Sequence, residues 1–255
     1  MREGELADQL HILLITSTIA PAKDTFQLVV RDAEQRLRQY VAAFRFYVSR
    51  LCDGTFHRIV YMDNSGYSLD RLEQIARENG VSDRVEFLSC VQNVPGRNSR
   101  YYLEMQLIDR AMRESRFLNE TPIAIIWKVT GRYLVRNAAA LVASWPGDTD
   151  IYIHHRNHPY PVVDFYFFGF VRRSYGLHIG SQIELFQRLE DGERILRRRI
   201  DVGDFQGIRI TKRFKFTPRL EGTRGYNGDS YSGPAYVLRY AVRVVANRLL
   251  PGWWI

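Results

Sequence analysis

Three short apolar runs in the first half of the chain each stop at a cluster of small and polar residues. His11 to Ile15 leads into Thr16-Ser17-Thr18, and Arg58 to Met62 leads into Asp63-Asn64-Ser65-Gly66-Tyr67. Ile123 to Trp127 leads into Lys128-Val129-Thr130-Gly131-Arg132-Tyr133. Between the runs, apolar residues recur at helical spacing. The segment from Asp24 to Leu51 carries Leu37, Tyr40, Val41, Phe44 and Val48 on one face, with Asp24 or Thr25 as a start signal. Ser68 to Asn79 reads as a second helix closed by Gly80, and Tyr101 to Phe117 as a third. Val85 to Cys90 adds a strand, and residues 95–99 form a loop bearing Gly, Pro and Asn. Such alternation predicts an α/β fold, a mostly parallel sheet of βαβ units flanked by helices, whose ligands gather at the carboxyl ends of the strands. The three polar clusters are therefore expected to converge on one edge.

The second half reads differently. Ile151 to His155 and Val162 to Phe170 are β-rich around a turn at Asn157-His158-Pro159, which predicts a mixed β extension. Ser181 to Leu189 reads as a helix, Asp191 to Arg199 as a charged surface segment, and Arg209 to Phe216 as a strand. Ala235 to Leu250 reads as a helix with Arg239, Arg243 and Arg248 among apolar residues, ahead of Trp253-Trp254-Ile255. No repeat or linker interrupts the chain. The expectation is one domain over 1–255: a nucleotide-binding half at 1–145, an acceptor-side part at 146–234, and a basic amphipathic tail at 235–255.

Composition narrows the partners. With 255 residues, 45% hydrophobic and 25% charged, the chain can bury a core and is not disordered. Its formal charge of +8 points to anionic partners: phosphorylated metabolites, anionic lipid surfaces or nucleic acid. Cys52 and Cys90 lack ligand spacing and read as core thiols of a reducing cytoplasm. No apolar run is long enough to span a membrane or shaped like a signal peptide. The expected location is cytoplasmic. The basic final helix and its tryptophans suit a peripheral contact with a membrane, or simply packing on the core.

Each polar cluster has a functional and a plain reading. Thr16, Ser17 and Thr18 can hold a base or ribose, or merely form a capping turn. Asp63, Asn64 and Ser65 can receive a ribose hydroxyl or a pyrimidine edge, or cap the next helix. Period-two alternation places Lys128, Thr130 and Arg132 on one face, so that the two cations can straddle a pyrophosphate. Gly131 would admit the backbone to it. Alternatively these are surface cations on an edge strand. No GxGxxG and no GxxxxGK[ST] occurs, which argues against a dinucleotide site and a P-loop. Asp148 and Asp150 have DxD spacing but follow a Trp-Pro-Gly turn and read as a loop. His154 and His155 face opposite ways on a strand, so His155 reads as a structural or acceptor-contacting residue rather than a metal ligand.

Taken together, the Thr-rich first turn, Asp63-Asn64-Ser65-Gly66, Glu104, Lys128 to Tyr133 and Glu221-Gly222-Thr223-Arg224-Gly225 resemble a group of small bacterial glycosyltransferases. Those enzymes build O-antigen, capsule or lipopolysaccharide outer chains. The resemblance implies a GT-A-like fold, a nucleotide-sugar donor and a glycan or lipid-linked glycan acceptor. Typical members end the corresponding strand in Asp-x-Asp, which holds Mn2+ or Mg2+ under the diphosphate. Here Lys128-Val129-Thr130-Gly131-Arg132 stands in that place, so no metal ligand and no cofactor is assigned, and a requirement for Mg2+ or Mn2+ stays open. Charge builds on the leaving nucleoside diphosphate, and Lys128 and Arg132 can meet it as a metal would.

An inverting transfer also needs a base for the acceptor hydroxyl. Glu184, after the Gly176–Gly180 loop, comes first, and Asp164, among apolar and aromatic neighbours, second. Glu104 and Glu221 are further carboxylates, with Glu104 placed to orient a donor group or pair with an arginine. Arg224, Tyr226 and Tyr231 can form a lid. Two other enzymic or binding classes compete: a sugar-phosphate nucleotidyltransferase, whose glycine-rich first loop is missing, and a basic nucleic-acid-binding module. The second would need a contiguous cationic stripe, whereas here cations and acids alternate, so no nucleic-acid partner is expected. A non-catalytic membrane-associated scaffold is the third alternative.

Overall fold

The computed structural model describes residues 9–22, 28–91, 99–176, 180–187, 191–203, 205, 207–223, 230–250 and 252–254. The first half is built as the alternation predicts. It runs β1 (His11–Ser17), α1 (Ala33–Cys52), β2 (Arg58–Asp63), α2 (Asp70–Glu78), β3 (Val85–Ser89), α3 (Arg100–Glu114), α4 (Arg116–Asn119) and β4 (Ile125–Thr130). There follow β5 (Leu134–Val135), α5 (Ala138–Ala143), β6 (Ile151–Arg156), β7 (Val162–Val171), α6 (Gly192–Asp201), β8 (Ile210–Thr211), β9 (Leu220–Glu221) and α7 (Pro234–Leu249). Seven strands form one sheet in the order β3-β2-β1-β4-β7-β6-β8, and β5 pairs with β9 apart from it. The strands from β3 to β4 are mutually parallel, whereas β7 runs antiparallel to both β4 and β6. Both halves of the chain thus share one mostly parallel α/β sheet.

Strand alternation sorts the core into two layers. Leu13, Ile15, Ile59, Tyr61, Trp127 and Val129 pack with residues of α1, α2 and α5. Ile12, Leu14, Val60, Met62 and Ile126 pack on the other face with residues of α3, α4 and α6. Each large side chain so buried stabilises the fold by about 1.5–3 kcal/mol.

Several boundaries move for identifiable reasons. α1 starts at Ala33 rather than near Asp24, because Asp32 caps it by accepting from Gln35 N at 2.6 Å. The helix expected over Tyr101 to Phe117 breaks at Ser115, where Glu86 accepts from Ser115 Oγ, Arg116 N and Phe117 N and so caps α4. The strand expected from Ile123 is β4, shifted two residues on. The expected helix at Ser181 is a 3-10 turn over Gly180–Gln187. The charged segment at Asp191 is the helix α6, which buries Ile195, Leu196 and Ile200. Only Ile210–Thr211 of the expected Arg209 strand pairs, because Phe214 turns inward against Tyr152, with ring centroids 4.6 Å apart. Cys52 is exposed and Cys90 half-buried, so neither is the core thiol expected.

Candidate functional site

The three polar turns do meet. Ser17 is in register with Asp63, and Thr16 with Thr130, so β1, β2 and β4 end side by side. β7 starts at the same edge because it runs the other way.

Asp63 ties this edge together and is fully buried. Oδ2 accepts from Ser17 Oγ at 2.6 Å and Ile19 N at 3.1 Å, while Oδ1 accepts from Ser65 N at 2.7 Å and Ser65 Oγ at 2.5 Å. With both oxygens engaged and no exposed surface, Asp63 is the clasp between two turns and not the ribose receptor expected. Asn64 extends the clasp, its N–H donating to Ser17 O at 3.2 Å. Thr18 faces α1 instead: Tyr40 accepts its N–H, and its carbonyl accepts from Arg36 Nε at 2.7 Å.

Lys128 also departs from expectation. Period-two alternation holds for Lys128 and Thr130, but β4 ends there and Arg132 lies in the turn beyond. Lys128 is fully buried beneath α3, with Nζ 2.6 Å from Glu104 Oε1 and donating to Thr130 Oγ1 at 3.0 Å and Phe165 O at 2.8 Å. Its ammonium also lies 4.4 Å from the Phe165 ring centroid. Every direction open to this cation is taken, so it does not reach a diphosphate. Glu104 additionally accepts from Thr16 Oγ1 at 2.9 Å and Thr130 Oγ1 at 2.8 Å. Burial alone would raise the Glu104 pKa, but Lys128, Thr130 and Thr16 hold it below the usual carboxylate value. The anticipated Glu104–arginine pair is a Glu104–lysine pair.

Arg132 is less fully engaged than Lys128. It is 7% exposed, donates from Nη1 to Thr223 O at 3.3 Å, and its buried Nε meets no partner among the described residues. Arg36, which sequence reasoning missed, feels the Arg132 charge. Arg36 is 3% exposed and donates from Nη1 to Val30 O at 3.2 Å and from Nη2 to Tyr40 OH at 3.0 Å. Burial lowers its pKa, Tyr40 opposes that shift, and the neighbouring Arg132 charge lowers it further. The Asp63 carboxylate acts on Arg36 in the opposite direction to Arg132 and supports its charge. The signal in the sequence was an arginine one helical turn before Tyr40, on the buried face of α1.

Gly131 serves packing. Its N–H donates to Thr16 O at 2.8 Å, and a Cβ there would stand 2.7 Å from Ile15 Cγ2 and 2.9 Å from Thr16 O. The missing side chain lets the turn close on β1, not on a pyrophosphate. Tyr133 and Tyr231 join edge to face at 5.5 Å, and Tyr133 meets Tyr166 at 6.2 Å. Tyr231 is therefore wedged among aromatics beside the Thr223–Ser230 bridge. The other lid residues proposed, Arg224 and Tyr226, lie outside the described residues.

At the start of β7, Asp164 is 1% exposed and forms an ion pair with Arg156 at 2.7 Å, accepts from Tyr166 OH at 2.8 Å and faces Arg243 at 3.8 Å. Burial would raise its pKa, but Arg156 and the neighbouring His154 and Arg243 leave it lowered. A carboxylate held this firmly is a poor proton acceptor. Glu184 is exposed on its 3-10 turn, bonded to Gln187, and lines a cleft of about 440 Å³ against Gln106, Asp109, Arg110 and Arg113 of α3. That cleft does not include Thr16, Thr130 or Arg132. Glu221 pairs with Arg136 at 2.6 Å. Neither leading candidate for the base fits its role.

Glu193, unremarked in the sequence, fits better. It opens α6, accepts from Phe165 N at 3.2 Å, and is only partly buried. Burial and then the Asp164 carboxylate raise its pKa to about 7. It shares the edge with Lys128 and Arg156, whose charges it influences. Only the tertiary fold brings residue 193 beside residue 164.

His154 and His155 are both buried. Burial brings their pKa values to about 4 and about 3, so each is neutral at pH 7. His155 has no exposed surface and meets the Trp254 ring edge to face at 6.2 Å, which fits the structural reading rather than acceptor contact. Asp150 accepts from Arg209 N at 3.1 Å and supports β8. Among the described residues no three His, Cys, Asp or Glu side chains gather as a metal site.

No family model matches the chain, and no curated protein matches it. Solved structures similar to it include the inositol-1-phosphate CTP transferase from T. maritima, at 16% identity and a TM-score of 0.46 over 81% of this chain and 85% of that one. An active-site mutant of LgtC is 9% identical with a TM-score of 0.46, over 79% of this chain and 72% of that one. A glycosyltransferase involved in glycosylation of the major capsid of PBCV-1 is 10% identical with a TM-score of 0.41, over 80% and 82%. Nucleotidyl and glycosyl transferases thus both stand among these structures.

Proposed function

We propose that the chain is a glycosyltransferase that moves a sugar from a nucleoside-diphosphate donor to a saccharide acceptor, free or lipid-linked, in cytoplasmic assembly of surface polysaccharide. One observation carries the reading: Arg132, just past β4, is buried with a partnerless Nε among the described residues, and the buried Arg36 at the start of α1 feels its charge. That arrangement suits the diphosphate of a donor. As the sugar–phosphate C–O bond breaks, the electron pair leaves on the diphosphate, and the guanidiniums offset the charge that builds there. Thr16, Thr130 and the partly exposed Glu104 carboxylate lie alongside to receive donor hydroxyls. The acceptor hydroxyl attacks the anomeric carbon and its proton passes to Glu193, which is poised for this near neutral pH. In this reading the arginines do the work of a divalent metal.

A thermal-shift panel tests it. One nucleoside diphosphate is expected to raise Tm with EDTA as well as with Mn2+, and Arg132→Ala is expected to remove that shift. A chain indifferent to every nucleotide but bound to oligonucleotides in a salt-sensitive manner would sink the proposal. Release of pyrophosphate from a nucleoside triphosphate and a sugar 1-phosphate would replace it with nucleotidyl transfer.

A further inference from the structure

α7 packs inside out. Its inward face carries Tyr236, Tyr240, Arg243 and Asn247, spaced three or four residues apart. Tyr236 OH accepts from Leu220 N at 2.9 Å, Tyr240 OH donates to Thr217 O at 3.4 Å, and Asn247 Nδ2 donates to Thr217 Oγ1 at 2.9 Å. Arg243 reaches Asp164 at 3.8 Å. Polar groups thus attach the helix to the body, and none of its residues is buried. The apolar residues point the other way. Val237, Leu238, Val242, Val245 and Leu249 are between 52% and 70% exposed. At 3.6 residues per turn they cover an arc of about 140°.

Exposed cations accompany this stripe. Arg239 and Arg248 are exposed on α7, and Lys215 and Arg219 are exposed on the segment that Tyr240 and Asn247 bind. Phe216 and Trp253 add aromatic surface, 43% and 53% exposed. No Asp or Glu occurs in 212–220 or 230–255.

We propose that this face docks on a bilayer containing anionic phospholipid: α7 lies flat, its Val and Leu stripe and Trp253 enter the acyl–headgroup boundary, and Lys215, Arg219, Arg239 and Arg248 meet phosphates. The charge pattern selects this occupant. Pairing the stripe with its counterpart on a second copy would bring the Arg239 and Arg248 charges of two copies together with no carboxylate from either helix to offset them. An anionic lipid surface satisfies both the apolar stripe and its cations. None of the described helices is long and apolar enough to cross a membrane, so the contact is interfacial. Through Arg243, the docked helix would hold the Asp164 side of the sheet edge about one helix diameter, some 10–12 Å, from the lipid. That geometry suits a lipid-linked acceptor, a consequence that rests on the transferase reading; the docking itself does not.

Sedimentation of the full chain with vesicles tests the proposal. Binding is expected to vesicles of phosphatidylcholine plus phosphatidylglycerol, to weaken at high salt, and to be much weaker on phosphatidylcholine alone. Arg239→Gln with Arg248→Gln should weaken it roughly 30-fold, at about a kcal/mol per cation. Leu238→Glu with Val242→Glu should abolish it without lowering Tm, since both side chains are exposed. Absence of sedimentation on the anionic vesicles, or full binding by the Glu variant, overturns the proposal. So does a wild-type dimer by light scattering that the Glu variant dissolves, or capture of an acidic protein by the same face without lipid binding. Nucleotide-induced Tm shifts in the same variants should be unchanged, which separates failure of docking from failure of the transferase reading.

Discussion

Replacing Lys128 by Met separates a structural cation from a ligand-binding one. Nζ lies 2.6 Å from Glu104 Oε1. At an effective dielectric near 20 that attraction is about 6 kcal/mol before desolvation is subtracted. Methionine keeps the length and apolar stem but leaves Glu104 with two hydroxyl donors, Thr16 and Thr130, and leaves the Phe165 carbonyl without its lysine. Removing one partner of a buried pair typically destabilises by about 3–5 kcal/mol, because the survivor stays charged in a poor solvent. Glu104 keeps 20% side-chain exposure, which places the expected loss near the lower end, about 3 kcal/mol. Urea unfolding at neutral pH reads it as a lower midpoint at unchanged slope. Adding Glu104→Gln should recover much of the loss, since the neutral amide no longer needs a countercharge. In the cold, where the variant is folded, a nucleoside diphosphate should still bind. A Lys128→Met protein within about 1 kcal/mol of wild type that has lost nucleotide binding would refute the reasoning and make Lys128 a phosphate ligand.

Two further perturbations follow from the same edge. The Glu193 carboxyl has a folded-state pKa of about 7 against 4.5 unfolded, so its contribution to stability is complete below about 4.5 and lost as pH rises through about 7. Glu193→Gln, which cannot ionise, should be about 2–3 kcal/mol more stable than wild type at about pH 8, the value discounted for partial exposure, and no different near pH 4. Its kcat should fall by about 10²–10⁴ and the pH–rate profile should lose its limb near neutrality; equal stability at both pH values would count against the buried-acid assignment. Gly131→Ala should destabilise by about 1–3 kcal/mol, because the added Cβ meets the unyielding Thr16 carbonyl oxygen at 2.9 Å. A melting temperature equal to wild type would show that the turn can move away from β1.

Much of the frame was legible because it depends on local periodicity. Alternating apolar residues in β1, β2 and β4, and the three- and four-residue spacing in α1, constrain each segment by itself, and short connections leave few ways to assemble them. The convergence of the Thr16, Asp63 and Thr130 turns followed from that topology. What could not be read was the partner each polar group would take. Lys128 looked like a ligand cation because nothing in its neighbourhood along the chain foretold Glu104, supplied by α3 from 24 positions earlier. Asp63 looked available until Ser17, Ile19 and Ser65 were seen to fill its oxygens. The sequence surroundings of Asp164 and Glu184 do not set a proton affinity, because a pKa is set in space: Arg156 lowers one carboxyl, while burial and Asp164 raise another, Glu193.

The sequence by itself determined the α/β class, the mostly parallel sheet and the edge at which its polar turns meet, because side-chain period and strand direction are properties of short segments. Tertiary structure alone decided which charges are spent inside the fold. It buried Lys128, brought Arg36 under the influence of the Arg132 charge, raised Glu193, and turned the apolar face of α7 outward. The physical reason is that ionisation, desolvation and exposure depend on neighbours brought from distant parts of the chain, and no local pattern records them.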